Sequence, residues 1–143
     1  MARIDLDEAV AWAGPGPVRT AHQAAGGEVE ASLAALGFDL RELEGERIVS
    51  PESFFAELYR VLGLGDCEPS WEGFARCRRR AEIPDLLAVV WNRADHSAFF
   101  NLKAVAEAAH SFLEWDRERA AEDRQVALFL LGQSRDFPRP GPD

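Results

Sequence analysis

Long apolar runs are missing from this chain. The longest, Leu86–Trp91 and Val126–Leu131, fall far short of the roughly 20 residues a helix needs to cross a bilayer, so no membrane contact of that kind is expected. Cysteine is scarce as well: Cys67 and Cys77 are too few for the framework of a disulfide-built domain. The opening MARIDLDEAVAWAG has no basic stretch followed by an apolar one, as a secretory leader would, and cytoplasm is therefore the expected compartment. No glycine-rich phosphate loop, nucleophile elbow or metal-spaced cluster of His and Cys occurs, and His22, His96 and His110 are scattered. The expectation is a protein without cofactor, metal or catalytic residues. Positive charge is also in short supply, with 16 Lys and Arg against 25 Asp and Glu and a net charge of -9. That balance disfavours nucleic acid and anionic membranes and favours long-range attraction to a basic partner, although acidity also serves plain solubility.

What is present suits one globular domain: 143 residues, 47% of them hydrophobic, enough to bury a core without staples. Residues 1–25 read as an N-terminal extension, with a short helix over Leu6–Trp12 broken by GPGP, and Val18–Gln23 as either a short strand or an extended arm. Gly26–Leu36 reads as a helix stopped by Gly37, and Phe38–Leu43 as a strand. Ser50 at the N-cap, Pro51 at N1 and an apolar face of Phe54, Phe55, Leu58, Val61 and Leu62 predict a helix ending at Gly63. Val49 is placed to staple onto Phe54.

Ser70 can cap a further helix running to Pro84, in which Phe74, Cys77 and Ala81 share one face. Leu86–Trp91 is an unbroken apolar run of strand length, as for a strand covered on both sides. Asn101 to about Glu122 carries Leu102, Val105, Ala106, Ala109, Phe112 and Leu113 at helical spacing. Gln125–Leu131 reads as a second buried strand, and residues 133–143 as a disordered tail. The fold class that follows is α/β: a small three-stranded parallel sheet covered by helices, over residues 26–132, with an N-terminal helical extension.

Chemistry-bearing residues concentrate in LGDCEPSWEGFARCRRR, Leu64–Arg80. Acids flank Cys67 and disfavour its thiolate, and Cys77 on the Phe74 face reads as a small buried apolar residue. Trp71 is open to two readings, core anchor or exposed binding aromatic. Glu72 and Arg76 stand four apart, the orientation of a stabilising surface pair. Arg76, Arg78, Arg79 and Arg80 near a helix C-terminus read first as partners of the helix dipole.

The succession FDLREL, EGERI, SPESFFAELYRVLGL, DCEPSWEGFARC, LLAVVWNRAD, AVAEAAHSFLEW and QVALFLL resembles the barstar family, small bacterial inhibitors that block a secreted ribonuclease before export. The resemblance covers Phe38–Leu131. It implies an immunity protein, cytoplasmic and monomeric, that plugs the phosphate-binding cleft of a basic nuclease or toxin with an acidic loop and helix. By position, the family's loop corresponds to Gly65, Asp66, Cys67, Glu68 and Pro69, and the family's pre-helix asparagine to Ser70. Trp71 keeps a large apolar residue, Glu72 keeps the first helix acid, and Glu114 matches the acid from the last long helix. Arg76 stands where the family has its decisive second acid, which implies altered specificity, since a cation is repelled by a pocket of Lys and Arg. Three readings stay open: inhibitor, diverged non-inhibitory interaction module on the same fold, and small enzyme.

Overall fold

Backbone pairing in four stretches of the chain organises the molecule, seen in a computed structural model that describes residues 3–65 and 67–140. In chain order the elements are α1 (Asp7–Val10), β1 (Val18–His22), α2 (Gly26–Ala35), β2 (Asp39–Glu44), α3 (Pro51–Leu62), α4 (Trp71–Arg80), β3 (Leu86–Asn92), α5 (Ala94–Ala120) and β4 (Gln125–Gly132), with short 3-10 turns after α1, β1 and β2. The strands form one parallel sheet in the order β1-β4-β3-β2, with Asp39 opposite Leu87, Leu86 opposite Gln125, and Val18 opposite Leu128.

Side-chain alternation along β3 and β4 builds two cores. Leu87, Val89, Trp91, Val126 and Leu128 meet Phe54, Leu58, Phe74, Phe112 and Trp115 from α3, α4 and α5. Leu86, Ala88, Val90, Ala127, Phe129 and Leu131 meet Leu6, Val10, Val29 and Leu33 from α1 and α2. A sheet covered on both faces needs strands that are apolar throughout, which is how LLAVVW and VALFLL read. No helix among the described residues is long and apolar enough to cross a membrane.

The expected three strands are four. VRTAH lacks an apolar run because Arg19 is buried in it, 4% exposed, satisfied by the carbonyls of Val10, Gly14 and Gly16 and by Asp7 at 2.7 Å. That arginine gathers the GPGP turn around itself, with Gly14 and Gly16 at φ +93° and +87°. Residues of the expected tail lie against this edge, where the His22 amide donates to the Pro138 carbonyl at 2.8 Å.

Two cap signals behave as read. Ser50 accepts from the Ser53 amide and Gly63 takes the left-handed conformation that ends α3. Helix α5 differs: it starts at Ala94, seven residues before the expected start, and is interrupted at Asn101, where φ is -156°. Asn101 accepts from the Ala104 amide, so it caps the longer second segment. The break leaves Leu102, expected on the buried face, 69% exposed beside Phe99 and Phe100, 84% and 55% exposed.

Candidate functional site

The turn between α3 and α4 is fastened at several points. Gly73 sits so close to it that a Cβ there would meet the Glu68 carbonyl oxygen at 2.3 Å, a position only glycine can take. The Tyr59 hydroxyl donates to the Glu68 carbonyl at 2.6 Å, and burial, with the Glu68 charge adding to it, pushes that phenol's pKa up. Ser70 accepts from the Gly73 amide and caps α4.

Cys67 and Cys77 are joined in a disulfide, which corrects the expectation of a protonated Cys67 thiol and of Cys77 as a small buried apolar residue. Their ten-residue spacing carries no signal of contact; the turn back along α4 creates it. Directly beside the bond, Glu68 and Arg76 form an ion pair at 2.9 Å, both about 60% exposed (61% and 58%). Arg76 therefore does not stand alone as a cation on this face, and Glu68 rather than Glu72 is its partner. An exposed pair of this kind contributes about 0–1 kcal/mol, so it orients the turn more than it holds it.

Trp71 is packed against the core on one side and open on the other. Its ring lies 5.5 Å from Phe54, 4.9 Å from Phe55 and 5.8 Å from Phe74, yet it remains half-buried and lines the surface. On one side it borders a groove of about 260 Å³ with Pro51, Phe55, Ser70, Glu72, Ala104 and Glu107. On the other it borders a shallower apolar hollow with Lys103, Ala106, Glu107, His110 and Ser111. Glu72 is exposed in the first turn of α4, where the helix dipole favours an acid.

Ser70, Trp71 and Glu72 are thus brought together, Glu68 and Arg76 are paired beside them, and Glu114 bonds His110 at 3.0 Å on the adjoining face of α5. Asp66 lies outside the described residues. Sequence reasoning missed Pro51, Glu107 and His110. The last two were accessible: Lys103, Glu107, His110 and Glu114 repeat at helical spacing opposite Val105, Ala108, Phe112 and Trp115. Among the described residues this face carries Glu68, Glu72, Glu107 and Glu114 against the fixed cations Arg76 and Lys103. The arrangement sets a half-buried aromatic beside an acidic rim. Among the described residues no group of three or more His, Cys, Asp and Glu side chains is placed to hold a metal ion. The chain matches no known family and no curated protein in sequence comparisons.

Proposed function

We propose that the chain is an inhibitor or immunity protein of the barstar kind, which binds a basic ribonuclease or related toxin through the 67–72 turn, α4 and the outer face of α5. It acts by occlusion, without chemistry of its own. The observation that carries the reading is Trp71 wedged among Phe54, Phe55 and Phe74 with exposed Glu72 next to it. A pre-positioned aromatic anchor beside a carboxylate loses little entropy on binding, and such anchors dominate inhibitor interfaces. The excess of acid on the same face selects for a basic partner.

The experiment is a titration against toxins encoded beside the gene and against basic ribonucleases. Tight inhibition that weakens about 100-fold in Glu72→Ala supports the reading, that being the loss of one charged contact at an interface centre. Absence of binding to any nuclease overturns it. The Glu68–Arg76 pair favours a second reading, a non-inhibitory module for another protein partner, because the family's acid position is taken by an internally paired cation. Arg76→Glu separates the two: nuclease inhibition improves under the first, and binding of the native partner weakens under the second.

A cytoplasmic site of action follows from blocking a toxin before export. The Cys67–Cys77 bond bears on it directly, since such bonds persist in oxidising compartments and are reduced in most cytosols. Trapping of thiols in freshly lysed source cells reads the compartment from the fraction reduced.

A further inference from the structure

The end of α4 remote from Trp71 closes a second cavity, about 430 Å³, against the C-terminal end of α5 and the turn into β4. Four of the chain's 16 Lys and Arg residues line it, Arg78, Arg79, Arg119 and Arg124, against two lining carboxylates, Glu118 and Glu122. Helix C-termini attract cations, which accounts for exposed Arg79 and Arg80. It does not account for the burial of Arg78 and Arg119.

Arg119 is 4% exposed, and its hydrogen bonds run to the backbone carbonyls of Pro84 and Asp85, none to a carboxylate among the described residues. Burial, and then the neighbouring Arg124 charge, pull its pKa down to about 10. The Arg78 side chain is 8% exposed, held by Glu118 at 3.0 Å and set over the rings of Phe74 and Trp115 at 5.1 and 5.3 Å. Arg119 lies 5.6 Å from the centre of the same Trp115 ring. Among the described residues the Nε of Arg78 and the Nε of Arg119 have no acceptor, and both atoms are closed to solvent. Glu118 is shared between Arg78 and Arg79, while Arg124 is held by Asp85 at 2.9 Å and approached by Glu122 at 3.7 Å.

We propose that this cavity binds a small oxyanion of the phosphate type, either inorganic phosphate or the head of a phosphate monoester. A cavity lined by four guanidinium groups against two carboxylates, with two of the cations largely buried, is the arrangement an incoming anion neutralises. Guanidinium forks match tetrahedral oxygens, and all four cations here are arginine. The net charge of -9 does not forbid it, because charges beyond a Debye length of about 8 Å are screened at physiological salt. The site lies at the opposite end of α4 from the Trp71 face and does not depend on the function proposed there.

The test is a phosphorus NMR and calorimetric titration of the full chain with inorganic phosphate, and separately with glycerol 3-phosphate, at constant ionic strength with chloride as the balancing salt. Saturable binding of one equivalent is expected, and the tighter of the two probes identifies the source. Arg79→Gln, at a side chain 68% exposed and therefore safe for folding, weakens it about tenfold, the loss of one charge-assisted bond. Arg124→Gln does the same, and Arg135→Gln, outside the cavity, leaves it unchanged. No saturable binding of either probe, or binding indifferent to both cavity variants, overturns the proposal.

Discussion

A methyl group on Gly73 would meet the Glu68 carbonyl at 2.3 Å, and the obstacle is backbone, which cannot rotate away. Two effects oppose each other in Gly73→Ala. Alanine gains about 1 kcal/mol of helix propensity, while overpacking against a fixed neighbour costs about 1–3 kcal/mol. The net expectation is a loss of about 1 kcal/mol in urea unfolding, with the turn displaced; a gain in stability would show the turn free to move. Glu57 is a different kind of residue, a carboxylate 7% exposed that ties α3 to β2. Burial pushes its pKa up, but bonds from Arg60 at 3.0 Å and from the Glu44 amide at 3.1 Å, with the Arg60 and Arg47 charges, more than offset this and hold it below the ordinary carboxylate value. A lowered folded pKa means stability that is complete above the unfolded pKa and lost as pH falls through the folded one. Glu57→Gln therefore costs about 1–3 kcal/mol at neutral pH. The gap to the parent closes on acidification below the carboxylate range, as thermal unfolding at stepped pH would show.

At the scale of elements, the turn before α4 is the part whose order depends on a covalent link. The Cys67–Cys77 bond closes a short loop, so opening it returns about 2–3 kcal/mol of chain entropy to the unfolded state. Urea midpoints with and without reductant should differ by that amount, and Cys77→Ala should match the reduced parent; coincident midpoints would mean that the other fastenings already order the turn. Legibility also divides by element. Helix α3 could be read because Ser50, Pro51 and Gly63 each have one favoured place, and β3 and β4 because two covered faces demand unbroken apolar runs. The first segment of α5 could not, since Phe99 and Phe100 face outward and Arg93 enters it in the left-handed conformation at φ 52°. The disulfide and the Glu68–Arg76 pair were hidden for a common reason: each joins residues through a turn whose path no local pattern encodes. Trp71 and Glu72 were legible because cap and helix start position them together.

At the scale of the whole molecule, the N-terminal 25 residues are the test of how far the domain extends. Read alone they are an appendage, because Arg19 and His22 interrupt the apolar signal of a strand. In the fold, β1 pairs with β4 from Val18–Leu128 to His22–Gly132, and Leu6, Val10, Ala13 and Ala21 cover the core face that also holds Phe129 and Leu131. Arg3 adds a tie to buried Asp116, at 2.8 and 3.0 Å, and Asp116 in turn accepts from the Val126 amide. Removing residues 1–25 would expose a long apolar edge at β4, the geometry that invites pairing between chains. It would also uncover the second core, at about 25 cal/mol for each Å² of apolar surface returned to water. The truncated chain 26–143 should therefore be recovered as aggregate or as an expanded form, without the sharp urea transition of the full chain. Size-exclusion chromatography with circular dichroism decides it, and a soluble, cooperatively unfolding monomer would show that β4 tolerates an open edge and that β1 is dispensable.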